Sequence, residues 1–312
     1  MNFHNFFNRA TNNPVPYPYQ RRLATGKTLP QLLSVPTGVG KTATAVLGWL
    51  WRRKFADASI NKTTPRRLVF CLPMRTLVEQ TQAECIKWLT NLKPVDDVGV
   101  HILMGGEDPT NWDTHPERDA IIIGTQDMLL SRALNRGYGM SRYRWPMHFG
   151  LLNNDCLWVL DETQLMGVGL TTSCQLAGLR QKLGTHGNCQ TLWMSATLNS
   201  DALNTVDHPK PDPKSYGLTL DDDDLANERV NQLLTATKPL STANTQLNSE
   251  SAKKGYEASL AEEIKQKHQL GTLTLAVINN VGRAQKIFTS LQKSLGDDAC
   301  LLYTSPSPRD RG

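Results

Sequence analysis

The sequence has no apolar run near the roughly 20 residues that a membrane-spanning helix requires. Its first residues, Met1-Asn2-Phe3-His4-Asn5-Phe6-Phe7, lack the charged and apolar regions of a secretory signal. No membrane partner is therefore expected. The six cysteines, at 71, 85, 156, 174, 189 and 300, show no C-x-x-C spacing. Scattered single thiols argue against a zinc site or a disulfide framework, and they suit a reducing cytoplasm. The seven histidines are dispersed and form no His-Asp dipeptide, so no metal-dependent nuclease site is expected here. Charge of one sign is also scarce: 34 basic against 29 acidic residues leave a net +5. That balance permits a nucleic-acid partner without demanding one. Hydrophobic residues at 39 % are enough for a sizeable core, and 312 residues suggest about two domains.

What is present is organised around Val35-Pro36-Thr37-Gly38-Val39-Gly40-Lys41-Thr42. The run Gln31 to Val35 reads as a short buried strand. From Thr42 to about Lys54, Ala45, Val46, Trp49 and Leu50 recur at helical spacing. Strand, glycine-rich turn and helix together make a phosphate-binding loop. Glycines let the backbone of Thr37 to Gly40 wrap a polyphosphate, and the helix N-terminus adds a positive dipole end. In such a loop Lys41 reaches the β- and γ-phosphates of ATP, and the Thr42 hydroxyl ligates Mg²⁺. The pattern departs from the general one at Val35, where a glycine is usual. A lone Gly-Lys-Thr turn could also be a bland loop, so the rest of the chain has to decide.

Residues 1–13 read as a polar lead-in. Next comes Pro16-Tyr17-Pro18-Tyr19-Gln20, about 20 residues before the loop. A glutamine amide offers one donor and one acceptor, which matches the N6 and N7 edge of adenine. Tyr17 or Tyr19 could stack on the ring. A proline-rich turn opening a helix is the plainer alternative. Arg67 to Leu72 reads as a buried strand that delivers Arg75 and Thr76 to its carboxyl end, where parallel α/β sheets place ligands. Val98 to Met104 and Ala120 to Ile123 are further strands, and the second delivers Thr125 and Gln126. Between Ser131 and Trp145, Arg132, Arg136, Arg142 and Arg144 alternate with Tyr138, Tyr143 and Trp145. Such a stretch can grip a nucleic-acid strand, or it can be a solvated loop with an aromatic anchor.

The apolar strand Cys156 to Leu160 ends in Asp161-Glu162. A carboxylate at the tip of a buried strand needs a positive partner. Mg²⁺ bound to ATP supplies one: Asp161 would hold the metal through water, and Glu162 would orient and deprotonate the attacking water. Gln190 to Met194 is another strand, ending in Ser195-Ala196-Thr197. From 201 to 256 Pro, Asp, Ser, Thr and Asn dominate, which reads as an acidic and polar interdomain linker. Within it Asp221 to Asp224 read as a solvated charge run. A helix at about 257–269, a strand at 272–278 and a helix from Arg283 to about Leu295 read as the opening of a second α/β domain over 257–299. Residues 300–312 resemble the in-frame translation of a transposase-type sequencing adapter, and are expected not to belong to the fold.

Gln20, Gly38 to Thr42, Pro73 to Thr76, Thr125 to Asp127, Asp161-Glu162 and Ser195-Ala196-Thr197 stand in one order. In that order they resemble a superfamily 2 helicase of the DEAD/DEAH-box type, whose phosphate loop takes the Pro-Thr-Gly-x-Gly-Lys-Thr form. More narrowly, the chain resembles the signature helicase of type I CRISPR systems. That likeness rests on Pro16 to Gln20, Leu72 to Gln80, Gly124 to Leu134, Trp158 to Gly167 and Asn279 to Gln285. The resemblance implies an α/β fold with a complete RecA-like parallel-sheet lobe over 14–200 and the start of a second. It implies ATP and Mg²⁺ as cofactors, with Lys41, Asp161 and Glu162 catalytic and Ser195 and Thr197 coupling the ATP site to nucleic acid. Arg75, Thr76, Thr125 and Gln126 would contact single-stranded DNA. The whole protein would be an ATP-driven 3′-to-5′ translocase recruited by an RNA-guided CRISPR surveillance complex, in company with a His-Asp nuclease domain or protein. The second-lobe arginines that reach the γ-phosphate do not appear in these residues, so slow hydrolysis is expected of them. A general DEAD-box RNA or DNA-repair helicase is one competing reading. A non-catalytic module that binds nucleotide and nucleic acid is another.

Overall fold

Near-continuous apolar runs such as Leu68 to Leu72, Ile121 to Ile123 and Leu157 to Leu160 suit strands covered by helices on both faces. All of these residues are buried. The structure, a computed structural model, describes residues 1–12, 15–93, 97–105, 111–197, 200–208, 217–248, 255–296 and 302. It contains strands β1 (Leu32–Ser34), β2 (Arg67–Leu72), β3 (Gly99–Leu103), β4 (Ala120–Thr125), β5 (Cys156–Leu160), β6 (Cys189–Ser195) and β7 (Gly217–Thr219). They form one seven-stranded sheet in the order β3-β4-β2-β5-β6-β1-β7. Every pairing is parallel. This is the α/β RecA-like arrangement expected from the sequence.

The helices of this part are α1 (Phe3–Thr11), α2 (Pro18–Thr25), α3 (Lys41–Lys54), α4 (Ala58–Thr63), α5 (Arg75–Asn91), α6 (Gln126–Ala133), α7 (Trp145–Asn153) and α8 (Val168–Leu183). Alternation along the strands splits the core in two. Leu68, Phe70 and Val159 face a layer holding Phe6, Leu23, Trp49 and Val78 of α1, α2, α3 and α5. Val69, Ile122 and Trp158 face Leu129, Leu152 and Cys174 of α6, α7 and α8. Each large apolar side chain so buried contributes about 1.5–3 kcal/mol. The parallel sheet brings the phosphate loop after β1, Arg75 after β2, Asp161 after β5 and the turn after β6 to one edge, the carboxyl edge.

The chain divides into two compact units, Met1–Ala236 and Thr237–Gly312. The first extends past the expected lobe at both ends. Residues 1–13, read as a lead-in, contain α1, whose Phe3, Phe6, Phe7 and Ala10 are buried. Asn2 caps it by accepting from the Asn5 N–H at 2.9 Å. The expected linker over 201–256 is likewise corrected. Within it β7 pairs with β1, and helices Asp222–Leu225 and Glu228–Thr235 follow. The aspartate run is not wholly solvated either, because Asp224 is fully buried and ion-paired to Arg22 at 2.8 Å.

In the second unit, helices Tyr256–Lys267 and Val281–Leu295 pack through Ala261, Ile287 and Leu291. The strand expected at 272–278 does not form. Leu273, Leu275 and Val277 lie 82–94 % exposed. Apolar alternation alone does not make a strand, and the described residues of this unit offer it no ladder partner. Of residues 300–312, all but Leu302 lie outside the described residues.

Candidate functional site

The site begins with backbone conformation. Gly38 and Gly40 adopt φ of +85° and +80°, a region that L side chains avoid. These two residues turn the chain from β1 back into α3. Thr37 and Gly38 are exposed at the tip, whereas the Val39 side chain is fully buried. Val39 can therefore offer a ligand only its backbone. Lys41, 6 % exposed, curls back so that Nζ donates to the carbonyls of Val35 at 3.3 Å and Pro36 at 3.2 Å. No carboxylate forms an ion pair with it among the described residues.

Asp161 stands opposite, at the tip of β5 and 5 % exposed. Its Oδ2 lies 3.5 Å from the Thr42 hydroxyl, and its Oδ1 accepts from the Glu162 N–H at 2.9 Å. Burial lifts its pKa to about 6, aided by the neighbouring Glu162 carboxylate. The Glu162 N–H, Lys41 and Thr42 pull the other way without prevailing. The result is a buried carboxylate that forms no ion pair among the described residues, beside the Thr42 hydroxyl and in the field of Lys41. That donor set fits a divalent cation carried by a polyphosphate.

Glu162 holds φ at +51°, strained for a non-glycine residue. Its carboxylate stands one residue past that of Asp161. Gln164 grips the Glu162 carboxylate through its amide nitrogen. The same Gln164 accepts through Oε1 from the Ser195 hydroxyl at 2.8 Å, and Ser195 Oγ accepts from the Thr197 N–H at 3.1 Å. Thr163 donates to the Met194 carbonyl at 3.3 Å. Glu162 and the Ser195–Thr197 turn are thus joined through one glutamine. The sequence reading overlooked Gln164, although it stands two residues after Glu162.

The Gln20 amide is fully committed. Its Oε1 accepts from the Tyr17 N–H at 2.9 Å. Its Nε2 donates to Thr44 Oγ1 at 3.0 Å and to the Gly40 carbonyl at 3.3 Å. In this structure it braces the phosphate loop from behind. Tyr19 is fully buried, which rules it out as a platform for adenine. Its hydroxyl donates to the Val39 carbonyl at 2.6 Å. Tyr17, half-buried beside it, remains available.

Arg75 opens α5 and donates to the Gly105 carbonyl at 2.6 Å, while Thr76 is exposed. Thr125 stands at the N-cap position of α6 and is 9 % exposed. Leu72 and Thr125 are register partners, so these residues and Gln126 share the carboxyl edge of adjacent strands. Gln126 Oε1 is buried without a partner. Gly169 leaves it room, since a Cβ there would stand 2.3 Å from it. The arginine stretch divides. Arg132 is 4 % exposed and donates to the Met128 carbonyl at 2.8 Å. Arg144 pairs with the buried Asp113, which also bonds His148 Nε2 at 2.8 Å. Of its arginines and aromatics, Arg136, Arg142, Tyr138 and Tyr143 are the exposed ones.

The DEAD/DEAH box helicase family model matches residues 20–206, the span of the site just described. The chain belongs to this family. Among solved structures, this helicase chain is similar to the DUF1998 helicase MrfA bound to DNA, at 16 % identity and a TM-score of 0.58 over 93 % of this chain and 39 % of that one. The same helicase bound to DNA and AMPPNP gives 17 % identity and 0.56 over 93 % and 38 %. The DEAD-box helicase Mss116 bound to ssRNA and UDP-BeF gives 20 % and 0.47 over 69 % and 42 %. At such identities the likeness concerns the fold. The chain spans about two fifths of the length of these helicases. No curated protein matches it.

Proposed function

We propose that this chain supplies the ATP-binding lobe of an ATP-driven single-stranded DNA translocase serving type I CRISPR interference. The observation that carries the ATP part is the convergence of Lys41, Thr42, Asp161 and Glu162 at one sheet edge, with Asp161 buried and its Oδ2 3.5 Å from the Thr42 hydroxyl. MrfA, which shares the fold, has been captured with DNA and AMPPNP. In this reading the amides of Gly38 to Thr42 bind the phosphates and Lys41 leaves the Val35 and Pro36 carbonyls to meet them. Thr42 and Asp161 hold Mg²⁺, which neutralises phosphate charge. Glu162, steadied by Gln164, orients a water and accepts its proton. Gln164 then reports the state of Glu162 to Ser195 and Thr197, beside the strand edge where Arg75, Thr76, Thr125 and Gln126 would meet DNA.

The narrower assignment is supported by sequence context: Gly124-Thr125-Gln126-Asp127 and Asp161-Glu162-Thr163-Gln164-Leu165-Met166-Gly167 resemble the CRISPR helicase more than a general DEAD-box protein. We assign residues 257–299 to the beginning of a second RecA-like lobe on the same resemblance. An RNA-guided complex in the cytoplasm would recruit the whole protein, with a His-Asp nuclease in the same or another chain. The test is ATP hydrolysis by the whole protein with single-stranded DNA or RNA of equal length. Stimulation by DNA alone, abolished by Lys41→Ala, is the expected result. Stimulation by RNA alone would favour a general RNA helicase. ATP binding without stimulated turnover would favour a non-catalytic module.

A further inference from the structure

We propose that the acidic run after β7 is a positioning element for the phosphate loop, and that it acts through Tyr19. The inference rests on the nucleotide-binding reading of that loop. Asp224 sits at the N-terminus of α2, where the helix dipole favours a carboxylate. Its Oδ1 accepts from the Tyr19 N–H at 2.8 Å. Its Oδ2 accepts from Arg22 Nη2 at 2.8 Å and from the Asp221 N–H at 3.1 Å. Arg22 also pairs with Asp221 and donates to the Thr219 carbonyl at 2.8 Å. Asp224 has no exposure, so its charge depends wholly on these partners.

Tyr19 is held at both ends. Its N–H meets Asp224, and its hydroxyl meets the Val39 carbonyl at 2.6 Å. Thr44 Oγ1 donates to the same hydroxyl at 3.0 Å. The ring between them is fully buried, and a buried ring cannot bend to absorb a displacement. After Asp224 the chain enters the helix Glu228–Thr235. Its Val230 joins the same hydrophobic core as Val39, and its Leu233 lies 3.9 Å from where a Cβ on Gly38 would stand. The run therefore fixes a support under Val39 and a neighbour beside Gly38. Seating of the segment 217–235 sets the shape of the phosphate loop, and unseating it loosens the loop.

The test uses the full 312-residue chain and four variants: Tyr19→Phe, Asp224→Asn, Asp224→Ala, and Tyr19→Phe with Asp224→Asn. The readouts are amide hydrogen exchange over residues 36–42 without nucleotide, ATP affinity, and melting temperature. Each single variant removes at least one hydrogen bond of the strut, which predicts loop exchange about fivefold faster or more, with ATP affinity weakened several-fold. The double variant should exchange no faster than the worse single one, because both changes cut the same strut. Unchanged loop exchange in Tyr19→Phe overturns the proposal, even if both Asp224 variants fail to fold. So does an Asp224→Asn protein that melts earlier with the loop unaltered, or a double variant whose effects multiply. A wild-type chain that does not bind ATP defeats the nucleotide reading instead, and loop exchange still decides the strut.

Discussion

Asp161→Asn should stabilise the chain while abolishing ATP hydrolysis. The carboxyl is 5 % exposed, and burial lifts its pKa from 3.8 to about 6. The folded state therefore holds this proton more tightly than the unfolded state. Below the unfolded value both states are protonated and no penalty exists. As pH rises between 3.8 and about 6, folding loses stability, and the full penalty stands above that window. Linkage gives about 0.5 kcal/mol at pH 4, ~1.6 at pH 5 and ~3 at pH 7.5. Asparagine keeps the shape and has no charge to bury. Urea unfolding of both proteins at the three pH values should show the variant's advantage growing along that series. At pH 7.5 it corresponds to several degrees in melting temperature. A variant less stable at pH 7.5, or a gain equal at all three pH values, would refute the reasoning. The same substitution removes the proposed Mg²⁺-holding carboxylate, so turnover should fall to background as stability rises.

Gly40→Ala should cost about 1–2 kcal/mol, since alanine resists the +80° φ, and its Cβ would stand 3.1 Å from Gln20 Nε2; thermal melting measures it. Phe6→Ala should cost about 3–5 kcal/mol, because Phe6 is fully buried and packs on Phe55 with ring centroids 5.1 Å apart. An unchanged denaturation midpoint would mean that α1 is not part of the core. Ser195→Ala should leave ATP binding intact and reduce nucleic-acid stimulation of hydrolysis about tenfold or more, since it breaks the bond to Gln164. Titrating DNA into an ATPase assay separates the two effects.

The phosphate loop and the Asp161-Glu162 strand end were legible because their meaning is local. A handful of adjacent residues fixes the turn, and apolar runs mark the strands that carry them. Helix α1 was missed, although Phe3, Phe6, Phe7 and Ala10 follow helical spacing, because its polar neighbours diluted the pattern. The roles of Tyr19 and Gln20 were not legible in full. A tyrosine and glutamine upstream of the loop suggest contact with adenine, whereas their polar atoms are spent on Val39, Gly40 and Thr44. Asp224 was out of reach, because its partner Tyr19 lies 205 residues away and four aspartates read as solvated. The arginine stretch misled for the same reason. Nothing in Arg144-Trp145-Pro146-Met147-His148 announces the buried Asp113, which becomes a neighbour only when α7 packs.

β7 is only three residues long, yet it decides how this lobe can be cut. It is the strand that keeps β1 from ending the sheet. A piece stopping near residue 200, where the helicase motifs end, would leave Leu32, Leu33 and Ser34 with unpaired backbone groups along one side. Exposed edges of that kind recruit strands from other molecules. It would also strip Val230 from the core and leave Arg22 without Asp221 and Asp224. Protease trimming should accordingly find its resistant boundary beyond Thr235, and shorter pieces should precipitate.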